Sequence, residues 1–467
     1  MKSKLLLFIG LMGLFMVSPG QAQIQTTSIF DSTNVFRLPV GYVRIGDENY
    51  VGLRLQPEFR LWKLGVGINI PLFFSVDDGS FRSEEFTNGS GGFRLIDYIR
   101  FGKKEVDKVY LRWGTLRNSY VGFGYLMNNY TNAASFERRK VGLSYDVRFL
   151  KYFGIEGVYS DFNGLRNLWV FRPYTRPLQK LPISILKTLE FGITFVSDGD
   201  QKAYSSTGDL VDTEFVRDGV RAFALDLGAD ILKTDFIKMK AYLQYARLGK
   251  NQALADSVDR FLISALVEPD SPIADGYEAA SGFNLGINAS MNLIANILQL
   301  DVRLERNFTQ DHFLPQFFDL NYEIDKDGKL WQLANSKSQS GTYGVLSALI
   351  IKKIRIIGGL QVPDQITTES PALVQLGLSL ENLIPNLVIS GTYVKGELDN
   401  LGDAFTLDER SLLNARIAYQ VTKRLAAGIN YRWTFAEVEE NGMNVFKATN
   451  YIMPYFGLNF PIGRNRN

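Results

Sequence analysis

The feature that most constrains how this chain can fold is a period of two. From Tyr50 to Leu61, Val51, Leu53, Leu55, Phe59 and Leu61 fall on one parity, and Arg54, Gln56, Glu58 and Arg60 on the other. Successive side chains of an extended strand point to opposite faces, so this segment has one apolar and one polar face. The pattern returns at 281–293, where Phe283, Leu285, Ile287, Ala289, Met291 and Leu293 alternate with Asn284, Gly286, Asn288, Ser290 and Asn292. It returns again at 297–306, with Leu298, Leu300, Val302 and Leu304 against Gln299, Asp301, Arg303 and Glu305. Further instances occupy 63–74, 107–116, 139–149, 186–197, 236–246, 371–382, 410–421 and 423–436. Each is about ten residues long, the length a tilted strand needs to cross a bilayer.

The joints between these segments alternate as well. Trp62, 103–106, 151–152, 233–235, 294–296, Lys352, 383–385 and 422 are tight, whereas 75–92, 117–138, 198–219, 249–280 and 308–340 are long and polar, with shorter loops at 364–370, 398–409 and 437–445. In an antiparallel meander this alternation puts the tight turns at one rim and the long loops at the other, as in bacterial outer-membrane barrels. With a first strand near 35–46 and a last near 446–460, the expected fold is all-β: a transmembrane antiparallel up-and-down barrel of about 16–20 strands in one domain, residues 23–467. Region 160–186 is not readable as strand.

Residues 1–22 carry Lys2 and Lys4, an apolar run from Leu5 to Val17, and small residues at Gly20 and Ala22. That is the layout of a secretory signal peptide cleaved after Ala22. The full chain has 51 basic and 49 acidic residues, and losing Lys2 and Lys4 leaves 49 of each. A neutral balance argues against nucleic-acid partners. With no cysteine and a single histidine, disulfides, thiolate metal sites and cysteine nucleophiles are excluded, and a Ser-His-Asp apparatus would depend on His312 alone. His312 lies in the 308–340 loop beside Asp311, which on an extended chain points the other way, so it reads as a solvated loop residue. No catalytic residue, cofactor or metal site is expected. Asp325-Lys326-Asp327-Gly328 and Asp198-Gly199-Asp200 read as Asp/Gly turns, because neither supplies enough oxygen ligands for calcium.

In a closed barrel the polar parity faces the lumen, because unpaired charges in a dry core cost several kcal/mol each. The expected pore-lining residues are Arg54, Glu58, Arg60, Arg112, Arg148, Arg303 and Glu305. Basic and acidic members of this parity are nearly balanced, which predicts weak ion selectivity. Loop 117–138 is rich in Tyr, Asn and Gly, and outside the barrel it would be an exposed sticky patch. It is expected to fold inward, with Tyr120, Tyr125 and Asn128 in a constriction. Segment 251–268 has helical spacing ended by Pro269 and is expected at the barrel mouth.

The C-terminal order Tyr455, Gly457, Phe460, Ile462 resembles the signal that the barrel-assembly machinery reads in the last strand of outer-membrane proteins, although five residues, Gly463 to Asn467, follow it. Leu38-Pro39-Val40-Gly41, Tyr98-Ile99-Arg100-Phe101-Gly102 and Gly122-Phe123-Gly124 resemble porin-like outer-membrane barrels of Bacteroidota-type bacteria, best over the first third of the chain. The resemblance implies fold and location and brings no substrate. The expected partners are outer-membrane lipid, the barrel-assembly machinery during insertion, and small polar solutes passing through. A homo-oligomer, or an envelope scaffold or secretion-associated barrel binding protein partners, remains open.

Overall fold

The computed structural model describes residues 35–459 apart from 46–47, 84–85, 87–94, 134–139, 150–151, 163–166, 200–219, 251–278, 295–296, 321, 324–325, 327–328, 330–332, 334–335, 368–370, 382, 408–410 and 441–442. Residues 1–22, read as a signal peptide, segment 251–268, read as helical, and most of the 198–219 and 249–280 loops lie outside the described residues.

The first strands are β1 (Val35–Ile45), β2 (Glu48–Leu61), β3 (Leu64–Ile68), β4 (Ile70–Ser75), β5 (Ile96–Phe101), β6 (Val109–Gly114) and β7 (Gly142–Arg148). They continue as β8 (Phe153–Tyr159), β9 (Trp169–Thr175), β10 (Glu190–Asp198), β11 (Val220–Lys233), β12 (Ile237–Lys250), β13 (Ala280–Leu293) and β14 (Leu298–Thr309). The last are β15 (Gln339–Ile350), β16 (Ile354–Pro363), β17 (Ala372–Glu381), β18 (Leu387–Leu398), β19 (Ser411–Gln420), β20 (Leu425–Glu440) and β21 (Met443–Asn459). All join one antiparallel sheet, and β21 pairs with β1, which closes it. Closure leaves no sheet edge with unpaired backbone groups.

Among the described residues, twenty-one strands make a barrel of twenty staves, because β3 and β4 lie end to end along β2. The sequence reads 63–74 as one strand. The break falls at Asn69, whose N–H leaves the ladder for the carbonyl of Leu95. An even count puts both ends of the sheet, Val35 and Asn459, at the rim of the tight turns.

Alternation is realised as two faces. Phe59, Leu111, Phe195, Leu243, Leu304 and Ile417, from six different strands, are exposed on the outside. An apolar surface this continuous suits a lipid solvent and no aqueous one. No helix among the described residues is long and apolar enough to cross a membrane. The chain is a transmembrane β-barrel of the outer membrane.

Three details depart from the expectation. Region 160–186 contains β9, whose Pro173 and flanking aromatics hide its period. The joint after β9 holds Pro177 and Pro182, which cannot donate to a ladder, and runs from Arg176 to Leu189 instead of turning tightly. Segment 437–445 is mostly strand, since β20 and β21 stay paired up to Glu440 opposite Met443.

Candidate channel interior

The polar parity points inward, and its members meet two different environments. Arg54 lies over the Phe73 ring at 5.5 Å. Glu58 accepts from the Tyr98 hydroxyl. Arg112 stacks on Tyr98 at 4.4 Å and donates from Nε to the Thr115 carbonyl at 2.8 Å. Arg148 donates to the carbonyl of Asp107 in the turn after β5. These four and Arg60 keep part of their surface exposed. Arg303 and Glu305 do not: their side chains are fully buried, 2.6 Å apart. The Tyr242 hydroxyl donates to the same carboxylate at 2.6 Å.

The segment after β6 is what buries them. Ser119 and Tyr130 bridge as the base of a hairpin that enters the barrel, and Leu116, Val121, Tyr125, Leu126, Met127 and Tyr130 are buried there. Asn128 donates to Gln316 at 2.9 Å and to the Tyr343 hydroxyl of β15 at 3.1 Å. Asn129 reaches Gln375 on β17 at 3.3 Å. Counting β3 and β4 as one, β6 is the fifth stave and β17 the sixteenth of twenty, so the hairpin reaches the opposite wall. Of the three residues expected in a constriction, Tyr125 and Asn128 sit in this crossing. Tyr120 sits lower, donating to Glu105 at 2.8 Å with the Lys104 amine 3.8 Å from its ring.

Gly122-Phe123-Gly124 anchors the hairpin. Gly122 (φ +59°) and Gly124 (φ +85°) are left-handed, a conformation that costs other residues roughly 1–2 kcal/mol. A Cβ on Gly124 would also lie 2.8 Å from the Arg303 guanidinium, which donates to the Phe123 carbonyl. The Phe123 ring stacks on Tyr242 at 4.6 Å and has the cations of Arg172 and Lys240 at 5.9 and 5.7 Å. It occupies a notch over Gly228, where a Cβ would come within 2.4 Å.

Below Phe123, Arg172 of β9 is 2% exposed and gathers three carboxylates from the wall. Its Nη1 lies 2.7 Å from Glu156, its Nη2 3.0 Å from Glu190, and its Nε 2.8 Å from Asp226. Lys104 adds a second cation to Glu156 at 2.9 Å and Arg176 one to Glu190 at 2.7 Å. The Gly122 N–H donates to Glu156 at 2.8 Å, which ties the hairpin into the cluster. Sequence reading missed Arg172 because β9 itself was not legible.

Part of the loop after β14 also folds in. Phe313, Phe317, Phe318, Tyr322 and Leu333 form one core with the hairpin. Backbone bonds from Phe318 to Leu126 and from Gln316 to Tyr125 join the two loops directly. Glu323 is held by Lys140 at 2.5 Å and Lys326 at 3.7 Å. Burial alone would raise its carboxyl, but the two lysines prevail and hold it at about 2. Lys326 also pairs with Asp198 at 2.7 Å, and the His312 N–H donates to the Ser336 carbonyl. Asp200, Asp325 and Asp327 lie outside the described residues.

The two loops therefore fill the side of the lumen lined by β7–β17. On the other arc, from β18 through β1 to β6, Arg54, Arg60, Arg100, Arg112, Arg416 and Arg432 point inward and keep partial exposure. The acidic residues of the same parity there, among described side chains, are Glu48 and Glu58.

No family model and no curated protein matches the sequence. Among solved structures, the chain is similar to the ferric-catecholate import receptor Fiu of E. coli at 8% identity, over 94% of this chain and 82% of that one, with a TM-score of 0.36. It is also similar to the outer membrane protein OprD of Pseudomonas aeruginosa at 10% identity, over 95% and 97% of the two chains, with a TM-score of 0.35. OccD3 of the same organism aligns at 10% identity over 95% of both chains, with a TM-score of 0.32. These superpositions are loose.

Proposed function

We propose that the protein is a porin-like channel through which small polar solutes pass passively along the arc from β18 to β6, and that the passage favours anions. The observation behind this reading is the segregation of inward charge. Acidic residues of the β7–β15 wall, Glu156, Glu190, Asp226 and Glu305, are sealed under the loops against their own cations. Among described side chains, the arc left beside the loops carries six arginines against Glu48 and Glu58. A balanced total charge predicts weak selectivity only if every charge meets the solute, and the charges sealed under the loops do not. Low-dielectric walls strengthen the field of the remaining arginines. Passage needs no reaction, so no catalytic residue enters the reading.

Single-channel recording in planar bilayers under a KCl gradient tests it. Discrete steps with a reversal potential toward chloride are expected, and a silent protein would overturn it. The filled half of the lumen favours a second reading, a non-conducting envelope scaffold or secretion-associated barrel. A stoichiometric envelope protein retained in mild detergent, together with silence in the bilayer, would select that reading. Kinship with porin-like barrels of Bacteroidota-type bacteria rests on the three short motifs of the first third.

A further inference from the structure

We infer that the cavity between Leu314, Pro315, Phe317, Asp319 and Lys329 of the inserted loop and the upper wall of β14–β17 is a binding site for a neutral, hydroxyl-bearing ring of monosaccharide size. The inference deepens the channel reading, on which the site's role in holding a solute beside the pathway rests, while binding itself does not require conduction.

The cavity measures about 90 Å³, and one water needs only ~10–15 Å³ on that scale, so it holds several heavy-atom groups. Asn307 of β14 and Gln339 of β15 both line it. Thr309 pairs with Gln339 and Asn307 with Gly341, so the two amides are diagonal neighbours on the inner face. Asn307 is 3% exposed, and its amide oxygen is buried and accepts no hydrogen bond from the described residues. The Gln339 amide oxygen is in the same state. Buried polar groups are nearly always hydrogen-bonded, and two adjacent exceptions lining one cavity point to a partner that enters it.

The chemistry of that partner follows from the lining. A hydroxyl both donates and accepts, so it satisfies a carboxamide in either orientation, which an ammonium or a carboxylate cannot. Asp319 and Lys329, on the loop side, neutralise each other at 2.7 Å, so the site offers no net charge to an ion. Pro315, Phe317 and Pro363 supply apolar surface for the C–H face of a ring. Hydroxyl edges with an apolar face are what a sugar presents.

The test is calorimetric titration of the full-length protein in detergent with glucose, and with arginine hydrochloride as a charged comparison. Glucose is expected to bind, arginine not. Asn307→Leu should weaken glucose about five- to tenfold by removing one acceptor, and Gln361→Trp, which fills the cavity, should abolish it. Heat-modifiable electrophoretic mobility establishes that each variant is folded. Absence of glucose binding, equal binding by both folded variants, or preference for arginine would each overturn the site. Because the titration needs no current, a silent bilayer recording sinks the channel reading and leaves the site standing.

Discussion

Replacing Arg172 with methionine asks whether the loop-filled half of the lumen is dry. Arg172 is 2% exposed, and its carboxylate partners Glu156, Glu190 and Asp226 are 7%, 10% and 2% exposed. Removing it leaves Glu156 to Lys104 and Glu190 to Arg176, and strands the buried Asp226 carboxylate. Breaking a buried pair in this way costs about 3–5 kcal/mol, whereas a pair bathed by pore water is worth about 0–1 kcal/mol. Arg172→Met should therefore lose about 3–5 kcal/mol of folding free energy in urea titrations followed by the mobility shift of the folded barrel. The double variant Arg172→Met, Asp226→Asn removes the stranded charge, leaving Lys104 with Glu156 and Arg176 with Glu190, and should recover most of that loss, since neutral replacements of a buried cluster are often tolerated. A loss below about 1 kcal/mol would mean that Arg172 faces water. A double variant as unstable as the single one would refute the claim that uncompensated charge is the cause.

Three other outcomes follow from the same interior. Arg54→Glu combined with Arg112→Glu should move the reversal potential toward the cation, while Glu156→Gln, on the sealed side, should leave it in place. Joining Ser119 to Tyr130 through two glycines in place of 120–129 removes the crossing and should enlarge single-channel steps, and unchanged steps would mean that the hairpin does not obstruct the passage. Glu323 is held at about 2 against its usual 4.5, so it favours the docked loops above pH 4.5 by about 3 kcal/mol. That contribution falls away as pH drops from 4.5 through about 2, and protease cleavage of the 310–336 loop should rise over the same window in the wild type and not in Glu323→Gln.

How much of this was legible in the sequence depends on whether a local period encodes it. Strands such as β2, β13 and β14 have one face against lipid and one against polar surroundings, and their phase could be read residue by residue. β9 could not be read, because Phe171 and Pro173 face outward while Val170 and Tyr174 face inward, so both parities carry apolar or aromatic residues and look alike. The break at Asn69 and the long ladder of β20 with β21 depend on pairing partners far along the chain. Composition gave a reason for the Ser119–Tyr130 hairpin to lie inside, but its destination on β17 was not legible, since nothing local to Asn129 specifies Gln375.

The same parity signal also conceals a division that matters for the pore. Arg112 and Arg303 occupy equivalent inward positions on their strands, and by alternation alone both line a lumen. What separates them is a loop attached to β6, which places Gly124 against Arg303 and leaves Arg112 beside Tyr98. Inward charge under the loops must be internally neutral, because burying uncompensated ions is expensive. Each cation there accordingly has a carboxylate: Arg303 has Glu305, and Arg172 has three. The open arc is under no such requirement, since water and passing ions can balance it. A barrel whose total charge is zero can therefore present a strongly one-signed path, and the sign is set by which wall the loops happen to cover.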